Sequence, residues 1–372
     1  MKIGFDVAQT CREKAGCGWA ADLLIRALVA AAPQSEFILY HQFGSWLNWT
    51  TRGGTHLADA NVSEPFRRMS PWCARKIFKS VDASGMTLPG NPDIVHANSF
   101  QAPKVGTARL VYTVHDISFW IHPEYTTEAN RIVCQKGTLD AIERADGFIF
   151  VSQNAKNEFE HLLPGLLERR RIRSTVVCHG SRFTSVAAPR TTFPTGDWLA
   201  VGSLEPRKNY ETLLSAMELY WRRSAVRRPL TIVGGRGWKS ESLLERIASL
   251  QSKGIVRFRG YVADNQLLDL YQNAFALQFP SHYEGFGLPV VEAMSQSCPV
   301  ITRNHSSLTE VGGLAAIYTN DDPTEISEKM LKLETEEYFY TAVSAKSLFQ
   351  ANKFSWRNSA LKILAFYEEL LH

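Results

Sequence analysis

Apolar residues in this chain cluster into short runs of about four to six, and between the runs they return at helical spacing. The clearest runs are Lys2–Val7, Glu36–Tyr40, Asp93–Ala97, Arg109–Val114, Gly147–Val151 and Ser174–Cys178, followed by Trp198–Val201, Leu230–Val233, Val256–Arg259, Ala276–Phe279 and Pro299–Thr302. Strands of this length separated by helices predict parallel sheets made of βαβ units. The segment Ser181–Asp197 (SRFTSVAAPRTTFPTGD) breaks the pattern, being rich in Pro, Thr, Ser and Gly without periodicity, and it reads as a linker. It leaves an α/β half on either side, 1–180 and 198–352. Two doubly wound domains of this kind bind ligands at the carboxyl ends of their strands, here expected to face a shared cleft. Beyond them, Leu361, Ile363, Leu364, Phe366 and Leu370 mark Trp356–Leu371 as a closing amphipathic helix.

Composition narrows the class. A chain of 372 residues exceeds one ordinary core and fits two domains. With 45% hydrophobic and 21% charged residues it reads as a soluble globular protein. Met1–Val7 runs straight into a strand without the apolar stretch of a signal peptide, and no apolar run reaches the ~18 residues of a membrane span. The six cysteines form no Cys-x-x-Cys pair, as expected of free thiols in a reducing cytoplasm. A net charge of +4 argues against nucleic acid as the main partner. Residues 1–190 hold 22 Lys and Arg against 17 Asp and Glu, so the excess lies in the first half. That half, including the aromatic and basic stretch Pro65–Lys79, suits either an anionic membrane surface or an ordinary solvated face.

The densest chemistry follows the run Ala276–Phe279, in SHYEGFGLPVVEAMSQSCPVI. Gly285 and Gly287 permit a tight turn with close backbone approach, and Pro289 suits the first turn of a helix running to about Gln296. Backbone N–H groups at Phe286–Val290 would then favour an anion such as a phosphate. Glu284 and Glu292 bracket the turn. One could hold sugar hydroxyls and the other a vicinal diol; the alternative is a capped helix with two solvated acids.

The string Glu284-Gly-Phe-Gly-Leu-Pro-Val-Val-Glu292 resembles the E-x7-E signature of the family-4 retaining glycosyltransferases. Val201-Gly-Ser-Leu-Glu-Pro-Arg-Lys-Asn209, Ile232-Val-Gly-Gly-Arg-Gly-Trp238, Phe258-Arg-Gly-Tyr-Val262 and Ser306-Ser-Leu-Thr-Glu310 are similar to further motifs of that family, in the same order. The resemblance implies the GT-B fold, in which two Rossmann-like domains face a central cleft and a C-terminal helix, here 353–372, returns toward the first. It implies that Arg207 and Lys208, beside Gly202, reach the diphosphate of a nucleotide sugar. Glu292 would hold the ribose, Glu284 the transferred sugar, and the backbone at Gly260, Tyr261 and Val262 the base, with Gly285, Phe286, Gly287 and Leu288 lining the donor. In the first half, Ala15-Gly-Cys-Gly-Trp-Ala20 is similar to the family's Gly-x-Gly loop, carried here by Gly16 and Gly18. His115, in Val111-Tyr-Thr-Val-His-Asp-Ile-Ser-Phe119, fits the histidine beside the transferred sugar, with Asp116 orienting it or capping the next turn. Ser152 and His179-Gly180 are further strand-end candidates. Ser203 and Trp19 stand where relatives commonly carry basic residues.

Retention of anomeric configuration without a cofactor or obligatory metal is implied, and the sequence has no Asp-x-Asp or acidic cluster placed for Mg²⁺ beside a diphosphate. Relatives with these patterns build bacterial surface polysaccharides. The expectation is therefore mannosyl transfer from GDP-mannose to a lipid-linked glycan, at the inner face of the cytoplasmic membrane. A nucleotide-sugar epimerase on the same fold and a non-catalytic binding subunit are the rival readings.

Overall fold

The computed structural model describes residues 1–11, 14, 16–44 and 54–372, so Ala15 of the expected glycine loop lies outside the described residues. The chain divides into two compact units, Met1–His179 with Ser355–His372, and Gly180–Phe354. Among the described residues the first unit holds β1 (Lys2–Asp6), β2 (Glu36–Tyr40), β3 (Val62–Ser63), β4 (Ile94–Ala97), β5 (Arg109–Val114), β6 (Gly147–Phe150) and β7 (Arg173–Val176), all parallel, in the order β3-β2-β1-β4-β5-β6-β7. The second holds β8 (Trp198–Val201), β9 (Leu230–Val233), β10 (Val256–Gly260), β11 (Ala276–Phe279), β12 (Val300–Arg303) and β13 (Ile317–Thr319), also parallel, in the order β10-β9-β8-β11-β12-β13. The two Rossmann-like sheets are thus built as the alternation of runs predicts. Each reverses its strand order beside its first strand, between β1 and β4 and between β8 and β11, which is where such sheets open a crevice. Every residue of β4, β6, β8, β9 and β11 is buried, because helices cover both faces. The strands without a counterpart among the apolar runs are β3 and β13, of two and three residues, too short to register as runs.

Composition misled at Ser181–Asp197. This stretch belongs to the second unit and is pinned to it. The Val186 N–H donates to the Ser295 carbonyl at 2.9 Å. The Arg190 guanidinium donates to the carbonyls of Ala274, Tyr271 and Gln272 at 2.5, 2.6 and 2.8 Å. Phe193 packs edge-on against Tyr340 with ring centres 5.2 Å apart. Missing periodicity marks a lack of helix or strand, and long-range hydrogen bonds can still immobilise such a segment.

The helix Trp356–Leu371 completes the core of the first unit, where Ile363, Phe366, Tyr367 and Leu370 are buried with Ile25, Leu28 and Leu39. Its Tyr367 hydroxyl lies 2.5 Å from Nδ1 of His96, whose Nε2 lies 2.6 Å from the Thr113 hydroxyl. Burial drives the His96 pKa down to about 3, so the ring is neutral. A neutral imidazole accepts at one nitrogen and donates at the other, and both positions are used. The Pro65–Lys79 stretch contains the start of a helix, Pro71–Ser84, with Ser70 accepting from the Cys73 N–H at 3.3 Å and Pro71 in the first turn. The two prolines therefore stand before and at the helix start, where they do no harm.

Candidate active site

In the second unit the loops after β8, β9 and β10 are laced together by backbone bonds. The Gly202 N–H donates to the Val233 carbonyl and the Gly234 N–H to the Gly260 carbonyl, both at 2.9 Å. Gly202 has φ +151°, and a Cβ there would meet Lys208 Cε at 3.2 Å. Glycine at this strand end thus clears a path for the lysine. Arg207 and Lys208 lie in a single 3-10 turn, Pro206–Lys208, closed by Asn209 in the left-handed conformation.

That turn meets the loop after β11. Glu284 is buried, and its two oxygens accept from Lys208 Nζ at 2.5 Å and from Arg207 Nη1 at 2.9 Å. Arg207 also bonds Glu205 at 2.9 Å through Nε. Burial alone would raise the Glu284 pKa, but the charges of Lys208 and Arg207 outweigh it and hold the carboxyl below its usual range. Burial pulls the Lys208 ammonium down, with Glu284 opposing. The Ser-Ser of the 306–310 motif supports this loop: the Glu284 N–H donates to Ser306 Oγ at 3.2 Å, and Ser307 Oγ donates to the carbonyls of Glu284 and Phe286 at 2.8 and 2.9 Å. Gly287, at φ +107°, turns the chain into the helix Leu288–Ser295. Gly285 and Phe286 are buried, Phe286 edge-on to Phe354, while Leu288 is half-buried. Within Phe286–Val290, the N–H of Val290 is spent on the Gly287 carbonyl at 3.0 Å, and Pro289 has none, so fewer amides serve an anion there than the sequence suggests.

Neither acid is solvated. Glu292 is 1% exposed, and Arg182 grips it from Nε at 2.6 Å and from Nη2 at 3.0 Å, while the Tyr271 hydroxyl donates at 2.9 Å. Arg182 also reaches Asp264 at 3.3 Å, at the start of the helix Asp264–Asn273. Burial disfavours the Arg182 charge, but Glu292 more than compensates and raises its pKa. Sequence reasoning missed both Arg182, which sits inside the supposed linker, and Glu205. Gly260 (φ +66°) ends β10, and exposed Tyr261 and half-buried Val262 follow it in the loop before that helix. Ser203 is half-buried beside Leu204, whose N–H bonds the Gly235 carbonyl.

In the first unit His115 follows β5 directly and is 6% exposed. Its Nε2 donates to the Asn98 carbonyl at 2.9 Å. Burial works against its charge, yet the Cys17 side chain, the Asn98 carbonyl and Asp116 together lift its pKa to about 9. His179, 6.1 Å away between ring centres and stacked on Trp356, goes the other way, to about 3, through burial and the His115 charge. His115 is therefore the protonated one of the buried histidines His96, His115 and His179. Asp116 accepts from the Ser118 N–H at 3.0 Å and its hydroxyl at 2.8 Å, a local turn contact leading into the helix Ser118–Ile121, whose N-cap is Ile117. Ser152 caps the helix Gln153–Leu162 by accepting from the Ala155 N–H at 3.0 Å. Asp6, another residue that sequence reasoning missed, ends β1 fully buried; burial raises its pKa to about 6, against hydrogen bonds from Ser99 and the Ala8 N–H.

The two glycines of the helix Gly16–Ala31 differ. A Cβ on Gly18 would lie 2.7 Å from the Gln9 carbonyl, so that position demands glycine, whereas a Cβ on Gly16 would meet nothing within 4 Å. Trp19, in the place of an expected cation, has Lys14 Nζ 4.6 Å from its ring centre, and the same ammonium pairs with Asp22 at 2.5 Å. Among the described residues, no group of three His, Cys, Asp or Glu side chains could hold a metal ion.

Comparison with known proteins gives this arrangement its context. Residues 21–180 match the family model described as Glycosyltransferase Family 4, and residues 195–347 match Glycosyl transferases group 1. The chain is 32% identical over 287 residues to O-antigen chain mannosyltransferase B of Escherichia coli, covering 74% of each protein. Among solved structures, sucrose-phosphate synthase from Thermosynechococcus elongatus superposes with a TM-score of 0.71 at 18% identity, over 99% of this chain and 98% of that one. HepE of Anabaena, solved with UDP and glucose, superposes with a TM-score of 0.67 at 17% identity, over 99% of each chain.

Proposed function

We propose, from the premise that the chain belongs to the family-4 glycosyltransferases, that it moves a mannosyl group from GDP-mannose to a lipid-linked glycan, with retention of configuration and without a metal. The observation that carries the reading is the part-buried Lys208–Glu284–Arg207 cluster at the carboxyl ends of β8 and β11. Two cations with one carboxylate between them suit a leaving diphosphate, because negative charge grows on it as the sugar bond breaks. Arg207 and Lys208 take that charge, and Glu284 is left to accept from hydroxyls of the sugar. The acceptor hydroxyl attacks on the face the diphosphate leaves, and a departing phosphate oxygen takes its proton. His115, protonated at neutral pH, donates a hydrogen bond to the sugar rather than acting as a base.

Glu292 serves the ribose only with rearrangement. A carboxylate offers about four lone-pair sites. Arg182 and Tyr271 fill three, so both hydroxyls of a diol can be accepted once Arg182 has let go. The choice of mannose follows the O-antigen mannosyltransferase relative.

The test is transfer of label from GDP-mannose to a lipid-extractable acceptor in the presence of EDTA. Label should move at an undiminished rate, and Lys208→Ala should cost about two orders of magnitude in kcat, the scale of removing one charge-stabilising donor. Transfer from UDP-glucose alone overturns the donor assignment, and a rate abolished by EDTA overturns the metal-free one.

At the cytoplasmic membrane, the helix Pro71–Ser84 would meet the lipid surface. It buries Ala74, Phe78 and Val81 and exposes Trp72, Arg75, Lys76 and Lys79, with Lys76 Nζ 3.5 Å from the Trp72 ring centre. An aromatic beside cations suits an anionic interface. The protein should float with phosphatidylglycerol vesicles at low salt and less so at high salt; failure to float at low salt rejects the membrane contact.

A further inference from the structure

The first unit holds a buried amide that the reading above leaves unused. Asn98 follows β4 directly and is 2% exposed. Among the described residues neither its Nδ2 nor its Oδ1 has a hydrogen-bond partner. Its backbone, by contrast, is tightly held. The Asn98 carbonyl accepts the Nε2 proton of His115, the Ser99 hydroxyl bonds the Asp6 carboxylate, and two residues back His96 is fixed by Tyr367 and Thr113. Next to the backbone carbonyl that binds His115, the chain thus carries a buried amide nitrogen and oxygen with no partner among the described residues. Buried polar side chains are almost always paired, and leaving one unpaired destabilises the protein that carries it.

We propose that Asn98 is a substrate-positioning residue whose Oδ1 accepts from one hydroxyl of the transferred sugar while its Nδ2 donates to the neighbouring hydroxyl. The chemistry selects a diol. Each hydroxyl both donates and accepts, so two adjacent ones meet an amide's unlike ends at once, which a carboxylate or an ammonium cannot do. The assignment rests on the glycosyl-transfer reading, with His115 beside the sugar, and adds a second contact on the same side.

The experiment compares wild type with Asn98→Ala and Asn98→Leu, measuring Tm, the Kd of GDP, and kcat/KM for GDP-mannose and for its 2-deoxy and 3-deoxy analogues. Because the amide has no partner among the described residues, Tm should hold or rise in at least one variant, and GDP should bind as before. The kcat/KM for GDP-mannose should fall about ten- to hundredfold. One deoxy analogue, already poor with wild type, should lose little more in the variants, since the contact is then missing on both sides. Equal kcat/KM in wild type and both variants overturns the assignment, as does a lower Tm in both variants with kcat/KM unchanged. A rise confined to the KM of the acceptor overturns it too. Wild-type protein that transfers sugar from no nucleotide donor overturns the transfer reading itself, a result separable from all of these.

Discussion

At the scale of single residues, the charge state of His115 bears most directly on the proposed chemistry. Its folded pKa of about 9 stands above the 6.5 of a free imidazole, against the pull of burial. A group raised in this way stabilises the fold fully below its unfolded pKa and loses that contribution as pH climbs through the folded one. The difference amounts to roughly 3 kcal/mol. The groups facing it are Cys17, Asp116, His179 and the Asn98 carbonyl. His115→Gln should therefore lie furthest below wild type in Tm at pH 6 and converge with it above pH 9, and transfer by the wild type should decline through the same window. A gap in Tm that is flat from pH 6 to 10 rejects a protonated His115. In each unit the polar candidates were legible, since Glu284, Arg207 and Lys208 in the second and His115 in the first are short polar signals at strand ends. Arg182 was not, since it lies 110 residues from the Glu292 it grips, and no local pattern encodes such a pairing. Asn98 was invisible for the opposite reason, because an absent partner leaves no trace in a string of letters.

At the scale of elements, caps and turns separate the strand-end candidates that hold the frame from those that the proposed chemistry would use. Ser152 stands at a strand end as His115 does, yet its hydroxyl is spent on the Ala155 N–H. Ser152→Ala should cost about 1 kcal/mol in urea unfolding, the usual worth of an N-cap, and leave kcat and KM where they were. A large loss of activity at unchanged stability would return Ser152 to the site. Strands were easy to read because helices cover both faces of each sheet, which turns a buried strand into an unbroken apolar run. The edge strands β3 and β13 were lost because two or three residues carry no period. The 181–197 stretch was misjudged because its anchors are contributed by residues about eighty or more positions away, such as the carbonyls that Arg190 binds.

At the scale of the whole molecule, the first unit is assembled from two pieces of chain. The helix Trp356–Leu371 belongs to it through buried apolar residues and through the Tyr367–His96–Thr113 relay. Tyr367→Phe keeps the packing but strands one nitrogen of a buried neutral imidazole. It should lower unfolding stability by about 1–3 kcal/mol, read in urea, without altering the Kd of GDP. Unchanged stability would mean that the relay contributes nothing and apolar contact alone holds the helix. The amphipathic period of this helix was plain in the sequence. Its destination was not, because a hydrophobic stripe says that a face will be covered and leaves open by what.

The split make-up of the first unit also governs the order in which the protein comes into being. A ribosome delivers residues 1–179 first, but the layer of core containing Ile363, Phe366, Tyr367 and Leu370 emerges only after the whole of the second unit. At about 5–20 residues per second that delay is roughly ten to forty seconds. The second unit, continuous in sequence, can close its core while the first still shows Ile25, Leu28 and Leu39 to solvent. The half that begins the chain is thus the half that finishes last, and during that interval it is the natural client for a chaperone.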